Sequence, residues 1–129
     1  MIVVDSSVWI DFFNGVSSPE VERLDRTIGK DLIVVGDLVL TEVLQGFRSD
    51  ADFNAARPAL LAFDVVPMLG LELAIRTSEN YRTLRARGVT VRKTSDMIIG
   101  TFCIERELPL LFSDRDFQPL VDHLGLVVA

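Results

Sequence analysis

Short, wholly apolar runs alternate along the chain with longer stretches of helical period. Ile2-Val3-Val4, Leu32-Ile33-Val34-Val35, Leu110-Leu111-Phe112 and Leu126-Val127-Val128 carry no polar residue, and Phe63 to Val66, closed by Pro67, supplies a fifth candidate strand. Strands apolar on both faces suit a parallel sheet covered by helices on each side. Between them, Ser18 can cap a helix that has Pro19 at its first position and Glu20 and Glu22 in its first turn. Leu38, Val39, Val43 and Gly46 follow helical spacing, and Ser49 or Asp50 restarts a helix toward Leu61. Leu71, Ala74, Ile75, Ser78 and Tyr81 share one face of a long helix that Gly88 should end. Ile98, Ile99, Phe102 and Cys103 form the inner face of another, before Pro109. No repeat, low-complexity tract or linker interrupts this alternation. The pattern predicts one α/β domain over residues 1–129 with a parallel sheet, whose ligands should gather outside the carboxyl ends of the strands.

Composition narrows the chemistry. With 129 residues, 49% apolar and 25% charged, the chain is long enough for one ordered core. A single cysteine, Cys103, excludes an intrachain disulfide and a Cys-based zinc site, and a single histidine, His123, excludes a multi-histidine metal site. The opening Met1-Ile2-Val3-Val4-Asp5 lacks the basic segment of a secretory signal, and Asp37, Asp64 and Glu72 interrupt the best apolar stretches, so neither export nor a membrane span is expected. A reducing cytoplasm is the expected compartment. The net charge of −6 opposes general attraction to nucleic acid or anionic lipid, while leaving room for a local basic patch.

The acids carry the chemical signal. Asp5 directly follows the first strand and Asp114 the fourth, so both should project from one edge of the sheet. Asp96 opens a helix, and Glu42 shares the inward side of its helix with Leu38 and Val39. Each aspartate alone has an ordinary explanation as a helix cap, and Glu42 as a border residue bending out to water. Asp37, after the second strand, reads as a cap or a solvent-facing acid. Together the four are harder to explain, because two carboxylates ~4 Å apart repel by about 4 kcal/mol at an effective dielectric of 20. An all-oxygen set suits a hard cation, Mg²⁺ or Mn²⁺, and such a site serves phosphodiester hydrolysis.

At these residues the chain resembles the PIN-domain ribonucleases, specifically the VapC toxins of toxin–antitoxin pairs. The resemblance rests on Val3-Val4-Asp5-Ser6-Ser7-Val8-Trp9-Ile10, Thr41-Glu42-Val43-Leu44-Gln45-Gly46, Ser95-Asp96-Met97-Ile98-Ile99-Gly100-Thr101 and Ser113-Asp114-Arg115-Asp116-Phe117, in order along nearly the whole chain. It implies a three-layer fold around a central parallel sheet of about five strands. It also implies that Asp5, Glu42, Asp96 and Asp114 form a metal-binding catalytic site, with Asp116 as an accessory acid. Ser6 and Ser113 would orient carboxylates or water. Gly100 stands where many members carry Ala, a departure expected to affect packing. The resemblance further implies an RNA substrate, a VapB-type antitoxin that restrains the enzyme with a C-terminal segment, and a homodimer formed through helices around Glu42 to Leu61.

The remaining features divide between packing and function. Arg82, Arg85, Arg87, Arg92 and Lys93 form a stretch without an acid, either a solvated helix end or a basic rim that guides RNA toward Asp96; Arg85, Arg87, Arg92 and Lys93 are the RNA-binding candidates. Trp9, Phe12 and Phe13 read as core, with base stacking as the alternative. His123 and Cys103 read as structural, since no nucleophile–histidine arrangement is present. Three other functions compete. A haloacid-dehalogenase-like phosphatase needs an acid two residues after Asp5, where Ser7 stands. A receiver domain needs an acidic pair and a phospho-acceptor on the third strand. A non-catalytic PIN-like module usually shows a broken acidic quartet, and here the quartet is intact.

Overall fold

The computed structural model describes all residues 1–129. The chain runs β1 (Ile2–Val4), α1 (Ser6–Phe13), α2 (Pro19–Thr27), β2 (Ile33–Gly36), α3 (Asp37–Gln45), α4 (Asp50–Leu61), β3 (Asp64–Val66), α5 (Leu71–Ala86), α6 (Thr94–Arg106), β4 (Leu110–Leu111), a 3₁₀ turn (Arg115–Phe117) and α7 (Gln118–Leu124). The sheet has the order β3-β2-β1-β4, and every pairing is parallel. Val3, Val4, Val35 and Leu110 are completely inaccessible. Their β-branched and leucine side chains fill both faces of the sheet, as the apolar runs require.

The expected fifth strand is reduced to one bridge. Leu126-Val127-Val128 meets the sheet only where Val128 pairs with Leu110, through Leu110 N–H to Val127 O (2.9 Å) and Ala129 N–H to Leu110 O (3.0 Å). Val127 and Val128 are 61% and 51% exposed. An apolar run gains strand geometry by burial on the sheet, and only Leu126 obtains it.

The connections set the layers. The crossovers β1→β2 and β2→β3 advance the same way across the sheet, and β3→β4 returns past β1. Right-handed crossovers then place α1–α4 on one face and α5–α6 on the other. The helices pack accordingly: α1 against α2 and α3, α3 against α4, and α5 against α6 and α7. Ser18 caps α2 by accepting from Val21 N–H (3.1 Å), and Ser49 caps α4 by accepting from Asp52 N–H (3.1 Å).

Asp37 is solvent-facing, one of its two expected roles, and does not cap. Gly36 occupies the cap position of α3, and the Asp37 carboxylate accepts instead from Met68 N–H at 3.0 Å, tying the β3–α5 loop to the start of α3. Gly36 has a packing reason as well, since any Cβ there would collide with the buried Met68 side chain. Gly100 follows the same logic on the other face: a Cβ there would overlap the Leu120 side chain, so α7 seats against a helix that lacks a side chain at that point.

Candidate active site

The order of the sheet creates the site. The chain leaves β1 into α1 on one face and leaves β4 toward the 3₁₀ turn and α7, so a crevice opens beyond the carboxyl ends of these adjacent strands. Val4 pairs with Leu111, and Asp5 N–H continues the ladder to Leu111 O at 2.9 Å. Asp5 and Asp114 therefore leave the same sheet edge. From opposite layers, α3 and α6 touch one another and bring Glu42 and Asp96 to that edge.

Asp5 is 2% exposed and caps α1: one carboxylate oxygen, Oδ2, accepts from Ser7 N–H (3.1 Å) and from the Ser7 hydroxyl (2.5 Å). Its other oxygen, Oδ1, is buried without a partner. Burial pushes the Asp5 carboxyl above its ordinary range; the Ser7 hydrogen bonds oppose this, and the Glu42 charge adds to it. Capping and candidate chemistry thus coexist in one residue.

Asp96 does not cap. Lys93 holds the cap position of α6, and Asp96 sits in the first turn, 4% exposed, with Oδ2 buried and unpartnered. Burial first, then the charges of Asp5 and Asp114, raise its carboxyl to about 7. Glu42 adds to that rise, and Lys93 moderates it.

Asp114 caps the 3₁₀ turn by accepting from Asp116 N–H (3.0 Å), and its second oxygen accepts from Lys93 Nζ at 3.2 Å. Burial acts upward on this carboxyl, but the Asp116 N–H and the Lys93 ammonium outweigh it and hold it below the usual carboxylate range. Arg92 lies 3.8 Å from Asp116. The tightest grouping is Asp96, Asp114 and Asp116, whose carboxylate oxygens lie within 4.8 Å of one another. Asp116, expected only as an accessory, belongs to this inner trio. Asp5 and Glu42 border it, near enough for their charges to act on Asp96.

The hydroxyls divide differently from expectation. Ser6 donates to Glu42 Oε1 at 3.2 Å. Ser113 contributes a backbone N–H, which reaches the Ser7 hydroxyl at 3.5 Å. Ser7, not singled out from sequence, holds Asp5. The available signal was the Asp-x-Ser spacing, in which an aspartate accepts from the backbone two residues on.

The basic stretch separates into three environments. Arg92 and Lys93 pair with the acidic trio. Arg82 and Arg85 line a groove between α5 and α6, with the Arg85 guanidinium 5.7 Å from the centre of the Tyr81 ring. Arg87 turns to the end of α7, 3.4 Å from both His123 Nδ1 and His123 O. Trp9 is buried in an aromatic cluster with Phe12, Phe13 and Phe63, which removes it as a base-stacking surface. Cys103 is buried and its thiol is pushed up to about 12 by burial, so it is inert as a nucleophile.

Residues 2–121 match the family model described as the PIN domain. The chain belongs to the PIN-domain family. Over 134 aligned residues this PIN domain is 25% identical to ribonuclease VapC11 of Mycobacterium tuberculosis, covering 100% of this chain and 98% of that protein. It is equally similar to a VapC ribonuclease of Mycobacterium bovis. Among solved structures it superposes on the VapBC2 complex of Rickettsia felis bound to promoter DNA with a TM-score of 0.79 at 14% identity, covering 100% of this chain and 98% of that one. The Mycobacterium tuberculosis VapC20 toxin, described as cleaving the sarcin-ricin loop, gives a TM-score of 0.69 at 16% identity, with the same coverage. At these identities the structural likeness establishes the fold. No helix of this PIN domain is long and apolar enough to cross a membrane.

The donor set of the acidic edge fits a hard divalent cation. Every candidate ligand is a carboxylate oxygen, and two of these oxygens, on Asp5 and Asp96, are buried with no hydrogen-bond partner. A buried carboxylate oxygen left unpaired is costly, and a cation removes that cost.

Proposed function

We propose that this PIN domain is a metal-dependent endoribonuclease acting as the toxin of a type II toxin–antitoxin module. The observation that carries the reading is the pair of buried, unpartnered carboxylate oxygens on Asp5 and Asp96, with the Asp96 carboxyl raised to about 7. Such an arrangement is unfavourable by itself and becomes favourable around a cation. Asp5, Asp96 and Asp114 would hold Mg²⁺, with Mn²⁺ as the alternative, and Glu42 and Asp116 would complete the set. When bound, the cation stabilises charge on a phosphoryl group and acidifies water beside it. The chain's own contribution is orientation: Ser7 fixes Asp5, Ser6 fixes Glu42, and the Asp116 N–H fixes Asp114.

Lys93 and Arg92 hold positive charge against this edge, where an RNA phosphate would otherwise meet only acids. The names of the VapC relatives support RNA as substrate, and the VapBC complexes support an antitoxin of the VapB type as partner. A homodimer belongs to the same reading. The phosphatase alternative loses ground, because Ser7 stands where a second acid is needed and its hydroxyl is committed to Asp5.

The test is cleavage of single-stranded RNA by the purified protein in Mg²⁺, Mn²⁺ or EDTA, beside Asp5→Ala, Glu42→Ala, Asp96→Ala and Asp114→Ala. The expected result is cleavage with either metal, none in EDTA, and none by the four variants, with stability unreduced for Asp96→Ala and lowered by a cap's worth, about 1 kcal/mol, for Asp5→Ala and Asp114→Ala. Cleavage persisting in EDTA would refute metal dependence, and variants that keep wild-type cleavage would mark the acids as structural only.

A further inference from the structure

A groove of about 450 Å³ runs between α5 and the first turn of α6. It lies within the ~300–1,000 Å³ typical of small-ligand sites. Three features of its lining are unexplained by packing. Thr77 is 6% exposed, and its hydroxyl finds no hydrogen-bond partner. A threonine within a helix ordinarily satisfies itself on the carbonyl four residues back, so an orphaned one is open to a partner arriving in the groove. Arg82 and Arg85 stand at the groove with no acid among the lining residues, a local reversal of charge in a chain of net −6. The Arg85 guanidinium lies over the Tyr81 ring, 5.7 Å from its centre, which brings two flat groups to the groove.

These features select the occupant. The cations call for an anion, the flat pair for a planar group, and the hydroxyl for a hydrogen-bonding edge. A nucleotide supplies all three: arginine binds phosphate through its fork, and bases stack on aromatic rings and guanidinium planes. Self-association groove to groove would set each arginine pair against its own copy, because a two-fold contact brings a patch onto itself. Thr94, Met97 and Ile98 present one side of the first turns of α6 to the groove, and Asp96 faces the acidic edge from the other side, so the groove and the candidate active site are neighbours across one helix.

We propose that the α5–α6 groove is a nucleotide subsite that takes the base and phosphate of one RNA residue across α6 from the acidic edge, with Thr77 reading the edge of that base. The proposal rests on the ribonuclease reading. It adds that sequence preference resides in this groove.

Ala74 lines the groove from the exposed side of α5, so Ala74→Trp fills the groove without disturbing the core. Binding of a fluorescein-labelled single-stranded RNA is measured by anisotropy in EDTA, and cut sites are mapped in Mg²⁺. Ala74→Trp is expected to weaken RNA binding by about tenfold, the scale of one lost stacking contact, at unchanged Mg²⁺ affinity. Thr77→Val, close in shape, is expected to redistribute the cut sites while binding stays within about threefold. Arg82→Ala, at an exposed position, should flatten the log–log salt dependence of binding by about one unit and serves if Ala74→Trp fails to fold. Wild-type affinity and wild-type cut sites in Ala74→Trp overturn the proposal, as does a change confined to oligomeric state, which would make the groove a protein interface. Wild-type protein that neither binds nor cuts RNA overturns the ribonuclease reading itself, a separate outcome visible before any variant is made.

Discussion

The raised carboxyl of Asp96 makes the metal-free protein's stability fall as pH rises through neutrality. In the unfolded chain Asp96 loses its proton near 3.8, and in the fold it keeps it to about 7. Between these values the native state binds the extra proton, so its stabilising contribution is present at acid pH and is lost as pH climbs through 7. Asp5 acts in the same direction. Asp114, held low, has the opposite sign, but its window lies below 3.8 and does not interfere. Moving from pH 5 to pH 8 crosses about two pH units of the Asp96 window, a ceiling of about 2.7 kcal/mol. Water entering the open side of the crevice screens this to about 1.5 kcal/mol. For a chain of this length that is roughly 5 °C in melting temperature. The assay is thermal unfolding in EDTA at pH 5 and pH 8 for the wild type and Asp96→Asn, which carries every other titrating group, so the difference between the two curves isolates Asp96. The variant should exceed the wild type at both pH values, and by about 1.5 kcal/mol more at pH 8 than at pH 5. Mg²⁺ should rescue the wild type at pH 8 and not the variant, because ligand binding to the native state adds stability. Wild-type stability that is level or rising across this range, with Asp96→Asn tracking it, would refute a proton-holding Asp96.

Other outcomes follow from single contacts. Asp37→Ala removes the acceptor of Met68 N–H and should cost about 1 kcal/mol while leaving RNA cleavage intact; a hundredfold loss of cleavage at unchanged stability would mean the acid belongs to the site. Gly100→Ala should destabilise by about 1–3 kcal/mol through collision with Leu120, and adding Leu120→Ala should give less than the sum of the two losses in urea unfolding. Arg85→Ala/Arg87→Ala/Arg92→Ala should flatten the salt dependence of RNA binding and leave Mg²⁺ titration close to wild type. Arg87 should contribute least, because it is engaged with α7. A wild-type salt slope in the triple variant would place the RNA path elsewhere.

The local order of this protein is determined by its sequence because the relevant forces are local. Wholly apolar runs at Ile2–Val4 and Ile33–Val35 suit only a doubly covered parallel sheet, and Ser18-Pro19 and Ser49 state their helix starts in the residues themselves. The acidic candidates were legible for a related reason. Asp5 follows β1 directly and Asp114 follows β4 after Phe112 and Ser113, and a parallel sheet puts such exits at one edge. What the tertiary structure decided depends on neighbours distant in sequence. Leu126–Val128 is as apolar as any strand but finds a partner only at Leu110, so it stays a bridge. Asp37 looks like a cap until the β3–α5 loop brings Met68 N–H to it. The basic stretch is one run in sequence and three environments in space, because the helix end turns its cations toward the acidic trio, the groove and α7 separately. The rank of the acids is likewise a matter of distance. Asp116 joins Asp96 and Asp114 within 4.8 Å because the 3₁₀ turn curls back on its own cap, and no spacing along the chain encodes how far that turn closes.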